Sequence, residues 1–455
     1  MPRSVTAAAS QSHTRPYAER VSTNDDWGGF GFDTRQVHAG EAPESTHGAR
    51  ITPIYLSAAY LFDDFAEAEA RFTGADEGQL YSRNANPTHH VAERRLASLE
   101  RGSGAIVVGS GQAAITGLLL GLAGSGERLV STASIYSGTR ILFDRTFARL
   151  GVGVDYVRDP ENRDEWDRAI TPETKAILVE TIPNPKNDLV DVVAVAEVAR
   201  AHGIPLIVDN TVATPYLIRP LELGADVVVH SSTKFLTGHG AALSGAIVDG
   251  GSFDWSASSR SYPGITAPPA PGAPSFAEKY GRRALEAYLR FGIVNDLGAA
   301  LSPVHSFLLQ QGMETLSLRM ARHLQNADEI ARWLAGHPAV ESVDYAGLET
   351  SPYHRIATAR FGGHAGSVFA FTVRGGREGA QRFFDALRVF SRMTNIGDVR
   401  SMALHPATTT HVSFSADERA RLGISDGLIR LSIGIETASD LIADLEQALR
   451  TASPH

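Results

Sequence analysis

The chain has 455 residues, 43% of them hydrophobic and 20% charged, a soluble globular composition too long for one simple core. Its formal net charge of -9 gives a nucleic-acid partner no electrostatic support. With no cysteine, disulfides, thiolate nucleophiles and Cys-ligated metals are excluded, a composition that fits the cytoplasm.

Residues 1–30 are polar and carry no apolar segment of the kind a signal peptide needs, so they are expected to form a disordered tail. The longest apolar run, 115–123, is about half of the ~20 residues that span a bilayer, and no membrane anchor is expected.

From about 104 to 250 the chain alternates short apolar runs with helical stretches. The runs are 105–108, 128–131, 154–157, 176–180, 205–209, 226–230 and 245–248. They are rich in Val and Ile, as buried strands of a mostly parallel sheet are. Helix-like segments such as 113–122 and 192–202 lie between them. The pattern predicts an α/β layered domain whose ligands sit at the carboxyl ends of the strands. Residues 251–276, rich in Ser, Pro, Gly and Ala, are expected to form a long surface loop. Beyond about 303 the pattern predicts a helix at 315–335, strands at 340–345, 367–373 and 428–435, and a terminal helix at 438–451. That reads as a second, smaller α+β domain.

Chemistry is sought at the strand ends. Lys234 follows a buried strand in Ser231-Ser232-Thr233-Lys234. Desolvation favours its neutral amine, the form that condenses with an aldehyde, although a surface lysine just past a strand is an equal reading. The hydroxyls of Ser231 and Thr233, two positions apart, could both donate to one phosphate. Asp209 ends the preceding strand. A protonated pyridine nitrogen would give its carboxylate a partner, and helix capping is the competing reading. The 25-residue gap from Asp209 to Lys234 leaves room for one crossover, so the two strands could be neighbours.

Ser110, Gly111 and Gln112 lie between a strand and a helix, where backbone amides can meet an anion; an ordinary tight turn is the commoner case. Tyr136 follows the next strand and could stack on a flat cofactor or move a proton, or be a half-buried aromatic. Asn184 is held between two prolines, with its amide aimed at a ring oxygen or engaged in plain turn chemistry. Convergence of five such features on one sheet edge says more than any of them alone.

Several stretches, in order along the chain, carry a resemblance. They begin at Thr34-Arg-Gln-Val-His-Ala-Gly40, Tyr81-Ser-Arg-Asn-Ala-Asn-Pro-Thr88, Val208-Asp-Asn-Thr-Val-Ala-Thr-Pro-Tyr216 and His230-Ser-Ser-Thr-Lys-Phe-Leu-Thr-Gly-His-Gly240. Gln311-Gly-Met-Glu-Thr-Leu-Ser-Leu-Arg319 and His405-Pro-Ala-Thr-Thr-Thr-His411 complete the set. From about residue 34 onward the chain resembles the Cys/Met-metabolism pyridoxal-phosphate enzymes of fold type I. It is most similar there to the O-acetylhomoserine sulfhydrylase (aminocarboxypropyltransferase) branch, whose version of a substrate-facing loop is echoed in Asn395-Ile-Gly-Asp-Val-Arg-Ser401.

The resemblance implies a seven-stranded, mostly parallel large domain over 76–300 and a smaller domain over 301–455. It implies an arm over 31–75 that contacts a neighbouring subunit. It implies pyridoxal 5'-phosphate held as a Schiff base on Lys234, with Asp209 at its pyridine nitrogen and Tyr136 stacked on its ring. Asn184 would lie near the ring hydroxyl, and Ser110, Gly111, Gln112, Ser231 and Thr233 would cradle the phosphate. Tyr81 and Arg83 would reach the neighbour's phosphate, in a homotetramer of two dimers. Arg430 would clamp the substrate carboxylate, a task that suits a bidentate guanidinium, with Asn395 and Tyr81 beside it. The implied reaction is γ-replacement on O-acetylhomoserine by sulfide or a thiol. A γ-lyase or cystathionine γ-synthase of the same family, and more remotely a non-catalytic cofactor-binding protein, are the alternatives.

Overall fold

The computed structural model describes residues 27–41, 47–76 and 78–452. The expected tail lies outside them, except that 27–30 form a turn in which Trp27 stacks on His38.

Seven strands make the large sheet: β1 (Gly104–Val108), β2 (Arg128–Thr132), β3 (Gly153–Val157), β4 (Thr174–Glu180), β5 (Leu206–Asp209), β6 (Val227–His230) and β7 (Gly245–Asp249). Their order is β1-β7-β6-β5-β4-β2-β3. The five strands from β2 to β6 are mutually parallel, and β7 runs antiparallel between β1 and β6. Strands β1, β4, β6 and β7 are buried along their whole length, which is why they read as unbroken apolar runs.

The covering helices have identifiable ends. Helix α1 (Pro87–Glu100) starts with Pro87 after the Asn86 cap, whose side chain accepts from the Thr88 amide. Helix α2 (Gly111–Leu122) is capped by Ser110, whose oxygen accepts from the Ala113 amide at 3.1 Å. Helix α3 (Val192–His202) is capped by Asp191 and stops at Gly203, left-handed at φ 65°.

A second sheet, ordered β10-β11-β12-β9-β8, follows in β8 (Val340–Asp344), β9 (Val368–Val373), β10 (Ser391–Arg392), β11 (Met402–Leu404) and β12 (Leu428–Ser432). Only the β10–β11 pair is parallel. Helix α4 (Leu316–Ala335) packs on β8, and helix α5 (Ala438–Ala452) packs on α4. Strands β10 and β11 carry two and three residues, too few for a period to be read from sequence. One apolar cluster joins Leu96 of α1 and Val228 of the large sheet to Phe369, Phe371 and Leu445 of the second unit, so the two sheets share a core.

The segment 251–276 is more than a surface loop. It contains the short helix Pro263–Thr266 and buries Trp255, Tyr262 and Ile265. Edge-to-face rings, Trp255 on Tyr262 at 5.0 Å, outweigh its Pro- and Ser-rich composition. No helix of the described residues is long and apolar enough to cross a membrane, and among those residues no cluster of His, Asp or Glu could hold a metal.

Candidate active site

Parallel pairing places the carboxyl ends of β4, β5 and β6 side by side. Glu180 is in register with Asp209, and Asp209 with Val229, one residue before His230. Ser231 to Lys234 follow directly. The strand carrying Asp209 and the one preceding Lys234 are therefore neighbours.

Lys234 is half-buried, and its Nζ donates to the Asn395 side-chain oxygen. Burial first, and the nearby Arg430 charge second, lower its pKa to about 8. The segment after it is held by Arg319, whose guanidinium donates to the carbonyls of Phe235 at 2.7 Å and Gly312 at 2.6 Å. The backbone amide of Val399 donates to the Gly238 carbonyl at 2.9 Å, so the Asn395 loop and the lysine loop are stitched together. A Cβ on Gly397 would stand 2.8 Å from the Phe235 amide, and its φ of +71° already favours glycine.

Asp209 accepts from the Thr211 amide at 2.9 Å, and burial raises its pKa. Tyr136 is 44% exposed. Its backbone amide donates to Glu180 Oε1 at 2.7 Å, and burial pushes its phenol above the usual tyrosine range. Arg430 is 2% exposed in β12. Its Nη2 donates to the Asn395 carbonyl at 3.0 Å, its Nε has no partner, and it makes no ion pair among the described residues. Burial lowers its pKa to about 10, so it stays charged at neutral pH and lacks only an anion.

At the start of α2, a Cβ on Gly111 would lie 2.6 Å from that of Ser231, so only glycine lets the two anion-side turns close up. Gln112 is tied to the Gly138 carbonyl at 3.1 Å. The Thr233 hydroxyl donates to the Ser244 carbonyl at 3.0 Å. Its one proton is thereby engaged, so the expected pair of Ser231 and Thr233 donors reduces to Ser231 while that bond stands. Asn184 precedes a cis peptide bond to Pro185, and its buried Oδ1 has no partner.

Tyr81 and Arg83 are not drawn into this group within one chain. Tyr81 is 46% exposed, and Arg83 lies over its ring and donates to Asn295 at 3.2 Å. Two residues were missed in the sequence. Glu180 ends a buried strand as Asp209 does, which was the available signal; Arg319 stood in a matched motif without a role.

These groups fit pyridoxal phosphate: a lysine amine, a carboxyl with no lysine or arginine ion-pair partner among the described residues, an unpartnered amide oxygen, and a helix start that only glycine lets close. Comparisons with known proteins agree. The chain is 45% identical to the O-acetyl-L-homoserine sulfhydrylase of Corynebacterium glutamicum, over 93% of this chain and 97% of that protein. It is 42% identical to O-acetyl-L-homoserine sulfhydrylase 1 of Thermus thermophilus, over 92% and 99%. A Campylobacter jejuni crystal structure described as a putative O-acetylhomoserine (thiol)-lyase, with a pyridoxyl-lysine monophosphate, superposes with a TM-score of 0.89 at 35% identity, covering 92% of this chain and all of that one. The profile of the family described as "Cys/Met metabolism PLP-dependent enzyme" matches residues 33–450, and the chain belongs to that family.

Proposed function

We propose that this enzyme replaces the acetate of O-acetylhomoserine with sulfide, or with a thiol, giving homocysteine or methionine, in methionine biosynthesis. The observation that carries the reading is the meeting of Lys234, Asp209, Tyr136 and Arg430 at one strand-end cleft of a chain that has four O-acetylhomoserine sulfhydrylase or homocysteine synthase relatives at 40–45% identity.

When bound, pyridoxal phosphate supplies an electron sink for bonds broken at the substrate amine's carbon. Lys234 would hold the cofactor's aldehyde and move the proton at the substrate's Cα; its lowered pKa suits a base near neutral pH. Arg430 grips the substrate carboxylate through the guanidinium edge that has no protein partner. Asn395 orients both, since its carbonyl holds Arg430 and its side-chain oxygen holds Lys234. Tyr136 would lie against the cofactor ring and would help the proton reach the leaving acetate. Ser110, Ser231 and the amides at the start of α2 would hold the phosphate, and Asn184 the ring hydroxyl.

Two effects follow. The rate at which cofactor-free protein captures pyridoxal phosphate rises with pH and levels off above about 8, because the neutral amine is the reactive form; a rate flat from pH 6 to 9 contradicts it. Arg430→Ala raises KM for O-acetylhomoserine by roughly 10–100-fold, since a charge-assisted contact contributes about 1.5–3 kcal/mol; an unchanged KM removes Arg430 from the substrate site.

The working form is proposed to be a cytoplasmic homotetramer of two dimers, each site taking Tyr81 and Arg83 from its neighbour. Support comes from the position of these two residues and from an arm that leaves Leu56, Leu61, Phe65 and Phe72 at least 74% exposed. The reaction itself is tested by products. O-acetylhomoserine with sulfide yields homocysteine and acetate, whereas 2-oxobutyrate and ammonia as main products would move the enzyme to the γ-lyases.

A further inference from the structure

Glu180 and Asp209 end neighbouring strands in register. Register partners point to one face of a sheet whose strands lie about 4.8 Å apart, so the two carboxyl groups meet beneath the cleft. Glu180 is buried and is committed to the Tyr136 amide at 2.7 Å. Asp209 opens onto the cleft and holds the Thr211 amide at 2.9 Å. Among the described residues no lysine or arginine forms an ion pair with either. His230, on β6, bears on Asp209, but Glu100 holds that imidazole at 2.7 Å from the other side. Across the cleft stand the Tyr136 phenol and, beyond it, Arg430 with Lys234 beside it.

Burial, and then the charge of Asp209, keep Glu180 well above the usual carboxylate range. Two like charges this close and this poorly solvated do not both ionise. We infer that Glu180 and Asp209 hold one proton between them in the cofactor-free protein, and that the pair delivers this proton to the cofactor's ring nitrogen on loading. The O–H bond of the pair breaks, an N–H bond forms on the ring, and both carboxylates end ionised. Asp209 then faces the charged nitrogen, while Glu180 keeps the Tyr136 amide. Glu180 is thus a positioning residue and a proton store, and the ring nitrogen becomes charged without drawing a proton from solvent. The inference rests on the pyridoxal phosphate reading of the site.

The test uses the full-length protein with and without pyridoxal phosphate, at a pH above the free cofactor's own nitrogen pKa. Infrared difference spectra of the wild type are expected to show a protonated-carboxyl carbonyl band in the cofactor-free form that disappears on loading. Glu180→Gln keeps an acceptor for the Tyr136 amide but cannot store the proton. Its spectra lack that loss, and the ratio of its cofactor Kd to the wild-type Kd climbs by about tenfold per pH unit, the slope of one extra proton taken from buffer. A wild type that loads and turns yellow with no acid band lost overturns the inference, as does a Glu180→Gln protein whose band change and pH slope match the wild type. A wild type that never takes up the cofactor overturns the proposed function, and this inference with it.

Discussion

Lys234→Ala lowers turnover of O-acetylhomoserine by at least about 10³-fold, the scale of losing a base and a covalent anchor together. The variant still folds, because Lys234 is half-exposed to the cleft and its Nζ has a single protein partner, Asn395. Cofactor binding weakens without vanishing, since the start of α2, Ser231 and Asp209 remain. Steady-state rates and cofactor titration on the same preparation separate the two effects. A Lys234→Ala enzyme within tenfold of wild type ends the account.

Asp209→Asn reduces turnover by at least about 10²-fold, comparable to deleting a preorganised electrostatic contact. Asparagine keeps the shape and can still accept from the Thr211 amide. It removes the charge that holds a proton on the ring nitrogen, so the electron sink weakens while the cofactor still binds. The effect falls on kcat, with KM for the ester changed little, because Arg430 is on another strand and untouched. A loss confined to KM would show that Asp209 serves the substrate and not the ring.

Much of this arrangement was legible in the sequence, and for physical reasons. Strands β1, β4, β6 and β7, buried along their length, leave unbroken apolar runs; the Val- and Ile-bearing runs of the other three completed the large sheet, and α3 ended where its Gly203 stop required. The adjacency of β5 and β6 followed from a gap that allows one crossover. What stayed hidden depends on packing across the chain. The five residues of β10 and β11 owe their state to their neighbours, β11 to β12 and β10 to β11, not to their own pattern. The loop 251–276 reads as polar until Trp255 and Tyr262 are seen to close on each other. At the site, the bond from the Thr233 hydroxyl to the Ser244 carbonyl, eleven residues away, could not be read from the sequence. Glu180 escaped notice because its importance lies in its neighbour, a matter of strand register.

The chain contains four lysines, Lys175, Lys186, Lys234 and Lys279, which makes one experiment decisive. Borohydride reduction of the cofactor-loaded enzyme fixes pyridoxal phosphate to whichever amine holds it, and peptide mass spectrometry reads the position. The account predicts the pyridoxyl mass on the peptide containing Lys234 and on no other. A label on Lys175, Lys186 or Lys279, or on none, contradicts it.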